Sequence, residues 1–410
     1  MIPLDSTFIR RQFPAFEEPS LKGWSFFENA GGSYTCRQVI DLLMNYYIRT
    51  KVQPYYNYPA AQEAGRAMDE AYTRLAGYLN VSEDEVQFGP STTQNLYVLA
   101  HAFRSLWQAG DEIVLSNQDH EANAGFWRRL ENTGIVVKEW GVDPDTGMLN
   151  PDDLDHLLTE KTRLLAFPHC SNVVGHINPV PQIAAKGHAA GAVVVVDGVA
   201  FAPHGLPDIA ASGADIYLFS LYKTWGPHLG LMTINKEIMD ALPNQGHFFN
   251  EPFPRKKMLP AGPDHAQIAA AAGVAQYLDD VYAHHFSHEA DPAQRGRQLQ
   301  QLFQEHERKL LAPLLEWLRE RDDLSIVGPD DPVLRAPTVS IVPKEKPLDE
   351  VFSTLTQKKI MAGQGHFYGV RPLMGMNIPY DTGVLRLSFL HYTTVDEIDR
   401  LIDGLSAAMD

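Results

Sequence analysis

The chain predicts an α/β protein with a mostly parallel seven-stranded sheet in a large domain, followed by a smaller α/β domain. Three observations carry this expectation. Short apolar runs rich in β-branched residues recur with helical stretches between most of them, the alternation that builds parallel sheets. The run 193–196 is continuously apolar rather than alternating, as in a strand buried on both faces. A length of 410 residues is enough for a large core and a second, smaller one.

Taken in order, strands are expected near 86–88, 113–116, 135–139, 164–167, 193–197, 216–219 and 231–234. A helix-rich stretch over about 291–321 then leads to strands near 338–342 and 385–389 and a closing helix from Val395. This reading divides the chain into a large domain over 20–265 and a small one over 266–410, with 1–19 packing on the latter. No internal repeat or low-complexity tract interrupts it.

Composition excludes several function classes. With 34 Lys+Arg against 51 Asp+Glu and a net charge of -17, neither nucleic acid nor an anionic membrane is expected as a partner. Two cysteines, Cys36 and Cys170, cannot form a disulfide framework and fit a reducing cytoplasm. No zinc-ligand spacing occurs. The start, MIPLDSTFIRRQF, lacks a signal-peptide core, and no apolar run approaches a membrane span, so a soluble cytoplasmic protein is expected.

The chemistry is concentrated in VVVVDGVAFAPHGLPDIAASGADIYLFSLYKTWGPHLG, residues 193–230. One strand candidate stops at Asp197; the next ends at Ser220 and passes through Tyr222 to Lys223 before Gly226 and Pro227 break regular structure. Ligands of open α/β sheets bind beyond the carboxyl ends of the strands, so both charges are expected to face one crevice. A buried carboxylate needs a cationic partner, and a desolvated lysine becomes a usable amine nucleophile. Spacing alone leaves two readings open. One is a plain Asp197–Lys223 ion pair; the other is pyridoxal phosphate, held by the lysine as a Schiff base while the acid keeps the ring nitrogen protonated.

Other stretches bear on the same crevice. GPSTTQNLYVLAHAF places Ser91, Thr92 and Thr93 at the start of a helix beginning near Gln94, as a simple N-cap or a phosphate cradle. His120 in DHEANAGFW and Asn172 in FPHCSNVVGHINPV each follow a strand. FFENAGGSYTC brings Ala30 and Gly31 where backbone can approach a ligand closely. The aromatic loop QPYYNYP, 53–59, reads as packing or an interface, PRKKM as a solvated basic loop, and Cys170 as a small buried filler.

Across these ordered motifs, from FFENAGG to LRLSFLHY, the chain resembles the fold-type I, class V aminotransferase family, close to the cysteine desulfurases. The clearest match is DGVAFAPHG followed by SLYKTWGP. The resemblance implies a fold-type I pyridoxal-phosphate transferase, a homodimer and an amino acid substrate. It implies that Lys223 forms the Schiff base, that Asp197 pairs with the ring nitrogen, and that His120, in a motif resembling EHHAN, stacks on the ring. It gives Thr92 and Thr93 to the phosphate, Thr93 foremost, with the hydroxyls of Ser220 and Tyr222 beside them. Asn172 would contact the phenolic oxygen or the substrate. LPAGPDHAQIAA resembles the segment that crosses to the partner's phosphate; Pro263 replaces the family threonine, which leaves the Gly262 amide. Arg386 matches the arginine that grips the substrate α-carboxylate, a task suited to its planar fork, with Ala30 and Gly31 on that side.

The departures are as informative. Ala200 stands for the glutamine of the family's DGAQ, and Tyr222 for the histidine before the Schiff-base lysine. MAGQGHFYGVRPL reads GHFY where desulfurases carry a mobile cysteine in a motif like GHHC, so His366 and Tyr368 line the substrate side and a phenol stands for the thiol. A phenol cannot accept a persulfide. The expectation is an amino acid transformation through an aldimine and a quinonoid, aminotransferase-type first. The alternatives are a C–S β-lyase, an epimerase, or a catalytically silent binding protein on the same fold.

Overall fold

The structure, a computed structural model, describes residues 2–410. A two-residue strand, β1 (Ser25–Phe26), comes first. The next seven are β2 (Val86–Gly89), β3 (Glu112–Ser116), β4 (Val136–Trp140), β5 (Thr162–Pro168), β6 (Val193–Asp197), β7 (Ile216–Ser220) and β8 (Gly230–Ile234). They form one sheet in the order β2-β8-β7-β6-β5-β3-β4. All seven were expected; β6 matches at both ends, and no end of the others shifts by more than two residues. Every pairing is parallel except those of β8, which runs antiparallel to both β2 and β7. The carboxyl ends of β2, β3, β5, β6 and β7 therefore meet along one edge, joined there by the start of β8.

The remaining strands are β9 (Leu324–Val327), β10 (Thr338–Pro343), β11 (Ile360–Met361), β12 (Gly363–Gly365) and β13 (Val384–Ser388). An antiparallel sheet of order β12-β13-β10-β9 forms the small domain. β10 and β13 match expectation. β9, β11, β12 and β1 are additional: β1 pairs in parallel with β11, and Glu28 bridges to Ser388. The N-terminal loop is thereby sewn to the small sheet.

Helix packing bears on the expected domain division. Helix His265–His285, buried along most of its length, packs on helices Arg37–Arg49 and Pro59–Leu79 on the large-sheet side. Gly273 permits the close approach, because a Cβ there would lie 2.5 Å from Val39 N. Helix Pro292–Arg319 sends Leu299, Leu302 and Phe303 into the large core and Leu310, Leu311 and Leu314 into the small one. We propose that the division falls inside this helix rather than at residue 265. The N-terminal segment spans both sides: Phe13 meets Tyr277 edge-on at 5.3 Å, and Arg10 pairs with Glu397 at 2.8 Å.

Candidate active site

Five strand ends deliver their side chains to one cavity of about 490 Å³, lined among others by Thr93, His120, Asn172, Asp197, Ala200 and Lys223. Asp197 closes β6, and its one hydrogen bond among the described residues is from Val199 N at 2.9 Å. Burial pushes its carboxyl up to about 6, against the pull of that amide and of Lys223. Lys223 follows β7 in the single turn Leu221–Lys223. Its amine is lowered to about 8, first by burial and then by the positive charge of Arg386, while Asp197 and Glu28 oppose the shift. The two groups act on each other through space, with no ion pair or hydrogen bond joining them among the described residues. The plain ion-pair reading is thus not realised; each is a buried charge without a direct partner.

At the end of β3, His120 caps helix Glu121–Arg128, its Nδ1 accepting from Ala122 N at 3.1 Å. Burial, then Lys223 and Arg386, hold this imidazole down at about 3, so it is neutral at pH 7. The Tyr368 ring lies 5.3 Å from it. Asp119 is a residue that sequence reading missed. It is fully buried, hydrogen-bonded to Ser116 and to Asn123 Nδ2 at 2.7 Å, and its carboxyl is pushed up to about 8 by burial. These bonds fix the turn that aims His120.

Beyond β2, Ser91 Oγ accepts from Gln94 N at 3.1 Å and starts helix Thr92–Arg104 two residues earlier than expected. The Thr92 and Thr93 amides thus stand at the open end of the helix, where anions bind. Gly230 makes this possible, since a Cβ there would lie 2.5 Å from Thr92 N. Thr92 Oγ1 and Ser220 Oγ are 2.8 Å apart, whereas Thr93 is exposed along the cavity wall. The half-buried Tyr222 stacks on His228 with ring centroids 4.6 Å apart.

The substrate side is built by the small sheet. Arg386 lies buried on β13, Nη1 donating to Asn172 O at 3.2 Å and Nη2 to Glu28 Oε1 at 2.5 Å, with the guanidinium 3.7 Å over the Phe367 ring. Asn172 Nδ2 donates to Phe367 O at 2.9 Å, while its buried Oδ1 has no partner. Such an orphaned acceptor marks a place for a ligand donor. Ala30 N donates to Ser388 Oγ at 2.8 Å and lines a small space shared with Lys223 and Ala200. Gly31 faces the Glu28 carboxylate. His366 is exposed, with Nδ1 accepting from Tyr368 N at 3.1 Å, and Tyr368 is 66% exposed. Phe367 and Tyr368 adopt left-handed φ of 49° and 57°, a strained backbone for non-glycine residues. Gly262 sits on an exposed loop, outside its own chain's cavity.

Both cysteines are free and buried, and burial pushes each thiol up to about 12. Cys170 lines the cavity but its Sγ–H points to Gly175 O at 3.3 Å.

The aminotransferase class-V profile matches residues 25–257 and 298–401. The chain belongs to the class-V aminotransferase family. The "Aminotransferase-like protein FGM3" of Gibberella zeae is 34% identical over 98% of each chain, and the "Cysteine desulfurase-like protein ustD" of Aspergillus flavus is 29% identical over 96% of this chain and 88% of that one. Among solved structures, the apo cysteine desulfurase of Thermococcus onnurineus NA1 superposes with a TM-score of 0.86 at 22% identity, over 99% of this chain and 98% of the other. That likeness shows the fold-type I architecture.

As a class-V family member the protein is an enzyme that transforms amino acids with pyridoxal 5'-phosphate. Its own residues fit that cofactor. An unpaired buried lysine, an acid with little hydrogen bonding, a neutral histidine and an open helix end occupy one cavity. Glu28 is the other residue that sequence reading missed. Its only signal was an acid in FFENAGG, and its partner lies 358 residues away.

Proposed function

We propose that the enzyme is of the aminotransferase type and acts on an amino acid without a protein thiol. Lys223 anchors the cofactor and, once displaced by substrate, moves the α-proton. Asp197 holds the ring nitrogen charged, His120 covers the ring, and Asn172 binds the phenolic oxygen or the substrate. Thr92, Thr93, Ser220 and Tyr222 hold the phosphate, with Gly262 reaching it from a second subunit. Arg386 takes the α-carboxylate, with Ala30, Gly31, His366 and Tyr368 around the substrate. Bound pyridoxal phosphate supplies the electron sink that acidifies the Cα–H bond.

One observation carries the choice of reaction. Tyr368 stands where the resemblance to desulfurases puts their cysteine, and the two thiols present are buried and held protonated. Chemistry that needs only Lys223 as proton carrier suits this site. Absorbance of the holoenzyme, recorded as L-amino acids are added singly, is expected to show conversion of the cofactor to its amine form with release of the matching 2-oxo acid. Pyruvate with sulfide from L-cysteine would instead support a C–S β-lyase, and no spectral change with any amino acid would reject the reading.

A homodimer is supported by exposed aromatics on two loops. Tyr55, Tyr56 and Tyr58 lie on one, Phe248, Phe249 and Phe253 on the other. Tyr55 and Arg255 both hydrogen-bond Asp69 at 3.1 Å, which draws the loops together. Sedimentation at the mass of one chain would contradict this. No helix is long and apolar enough to cross a membrane. Two free thiols support a cytoplasmic site, which detection only in an extracellular fraction would refute.

A further inference from the structure

Arg386 is buried, and a buried guanidinium without a counter-charge is costly. That counter-charge is Glu28, whose Oε1 accepts from Nη2 at 2.5 Å. The two side chains differ in their access to water: Arg386 is 3% exposed and Glu28 26%. Glu28 can therefore leave into solvent at modest cost, whereas Arg386 cannot.

The backbone around the pair is shaped for this carboxylate. A Cβ on Gly31 would lie 1.8 Å from Glu28 Oε2, and one on Gly363 would lie 2.7 Å from Oε1. Two glycines thus clear the space in which the Glu28 carboxylate rests. Gly31 has no positive φ, so conformation alone does not demand glycine there.

We propose that Glu28 is a built-in competitor for the α-carboxylate: it occupies Arg386 in the free enzyme and must swing away for substrate to bind. The proposal rests on the reading of Arg386 as the α-carboxylate site. An arriving carboxylate meets an arginine already neutralised, and brings a second negative charge against Glu28. Both cannot be held tightly by one guanidinium without like-charge repulsion. Glu28 therefore sets a threshold. A ligand anchored through its amine at the cofactor gains enough local concentration to displace it, while a free carboxylate lacks that tether. When product is released, Glu28 returns and neutralises Arg386. It is a specificity-determining residue that selects ligands carrying both groups.

The test compares L-alanine with L-alaninamide, which keeps the amine and lacks the charged carboxylate, by titrating each into holoenzyme and reading cofactor absorbance. Glu28→Gln is expected to tighten L-alanine about tenfold and to leave L-alaninamide unchanged. Gly31→Ala, which places a methyl group where the Glu28 carboxylate lies, is expected to act in the same direction without altering Glu28. Arg386→Ala is expected to erase the difference between the two ligands. If Arg386→Ala weakens L-alanine while neither Glu28→Gln nor Gly31→Ala tightens it, Glu28 does not compete and the proposal falls, with the Arg386 reading intact. The same holds if Glu28→Gln weakens L-alanine, since Glu28 would then be positioning Arg386. If Arg386→Ala leaves L-alanine binding unchanged, the carboxylate reading itself fails and takes the proposal with it.

Discussion

Lys223→Met is expected to abolish covalent attachment of the cofactor and to lower turnover at least about a thousandfold, because the proposed function makes one side chain both the anchor and the proton carrier. Borohydride reduction followed by peptide mapping is expected to place a phosphopyridoxyl group on Lys223 in the wild type and on no residue of the variant. A group found on another lysine overturns the assignment. The same substitution has the opposite effect on stability. The amine is held at about 8 against an ordinary 10.5, so the unfolded chain binds this proton more tightly between those values. The resulting cost to folding is full below pH 8 and vanishes as pH rises from 8 through 10.5. Cofactor-free Lys223→Met should therefore resist urea better than cofactor-free wild type at pH 7, by on the order of 2 kcal/mol, with the gap narrowing by pH 10. An equal gap at both pH values contradicts this account of the buried amine.

If Arg386 takes the α-carboxylate as proposed, Arg386→Ala is expected to raise KM for the amino acid substrate roughly 30- to 1000-fold, the loss of a charge-assisted contact of about 2–4 kcal/mol. Cofactor content is expected to stay at the wild-type level, because the side chain hydrogen-bonds the Asn172 backbone carbonyl and Glu28 and makes no hydrogen bond to Lys223, Asp197 or His120. Partly exposed, Glu28 loses its partner to water at little cost, so the change reads out on substrate rather than on folding. An unchanged KM would remove Arg386 from the substrate site.

The large sheet was legible because its strands are written locally. In β6, four consecutive valines ending at Asp197 specify a strand buried on both faces whatever the rest of the chain does. The short strands were not legible, since β1 and β11 have two residues each and exist only through pairing across more than 300 positions. Helix His265–His285 was assigned to the small domain because sequence order placed it there. Its alanine-rich surface, close-packed at Gly273, shows its side only when the helices at 37–49 and 59–79 are in place. In the site, Lys223 and Asp197 announce themselves as charges ending apolar runs. Glu28 and Asp119 do not, because an acid's burial and partner are set by chain segments distant from it or by a turn whose closure the sequence does not display.

The central claim, amino acid chemistry without a protein thiolate, is tested most directly with L-cysteine and a reductant. Wild-type holoenzyme and a Cys36→Ala, Cys170→Ala variant would be assayed side by side for sulfide, alanine and pyruvate. A tyrosine, Tyr368, where the resemblance puts the desulfurase cysteine and two thiols held protonated by burial predict the same products from both proteins, with no sulfide accompanied by alanine from either. Sulfide released together with alanine, by the wild type or by the variant, would contradict the account.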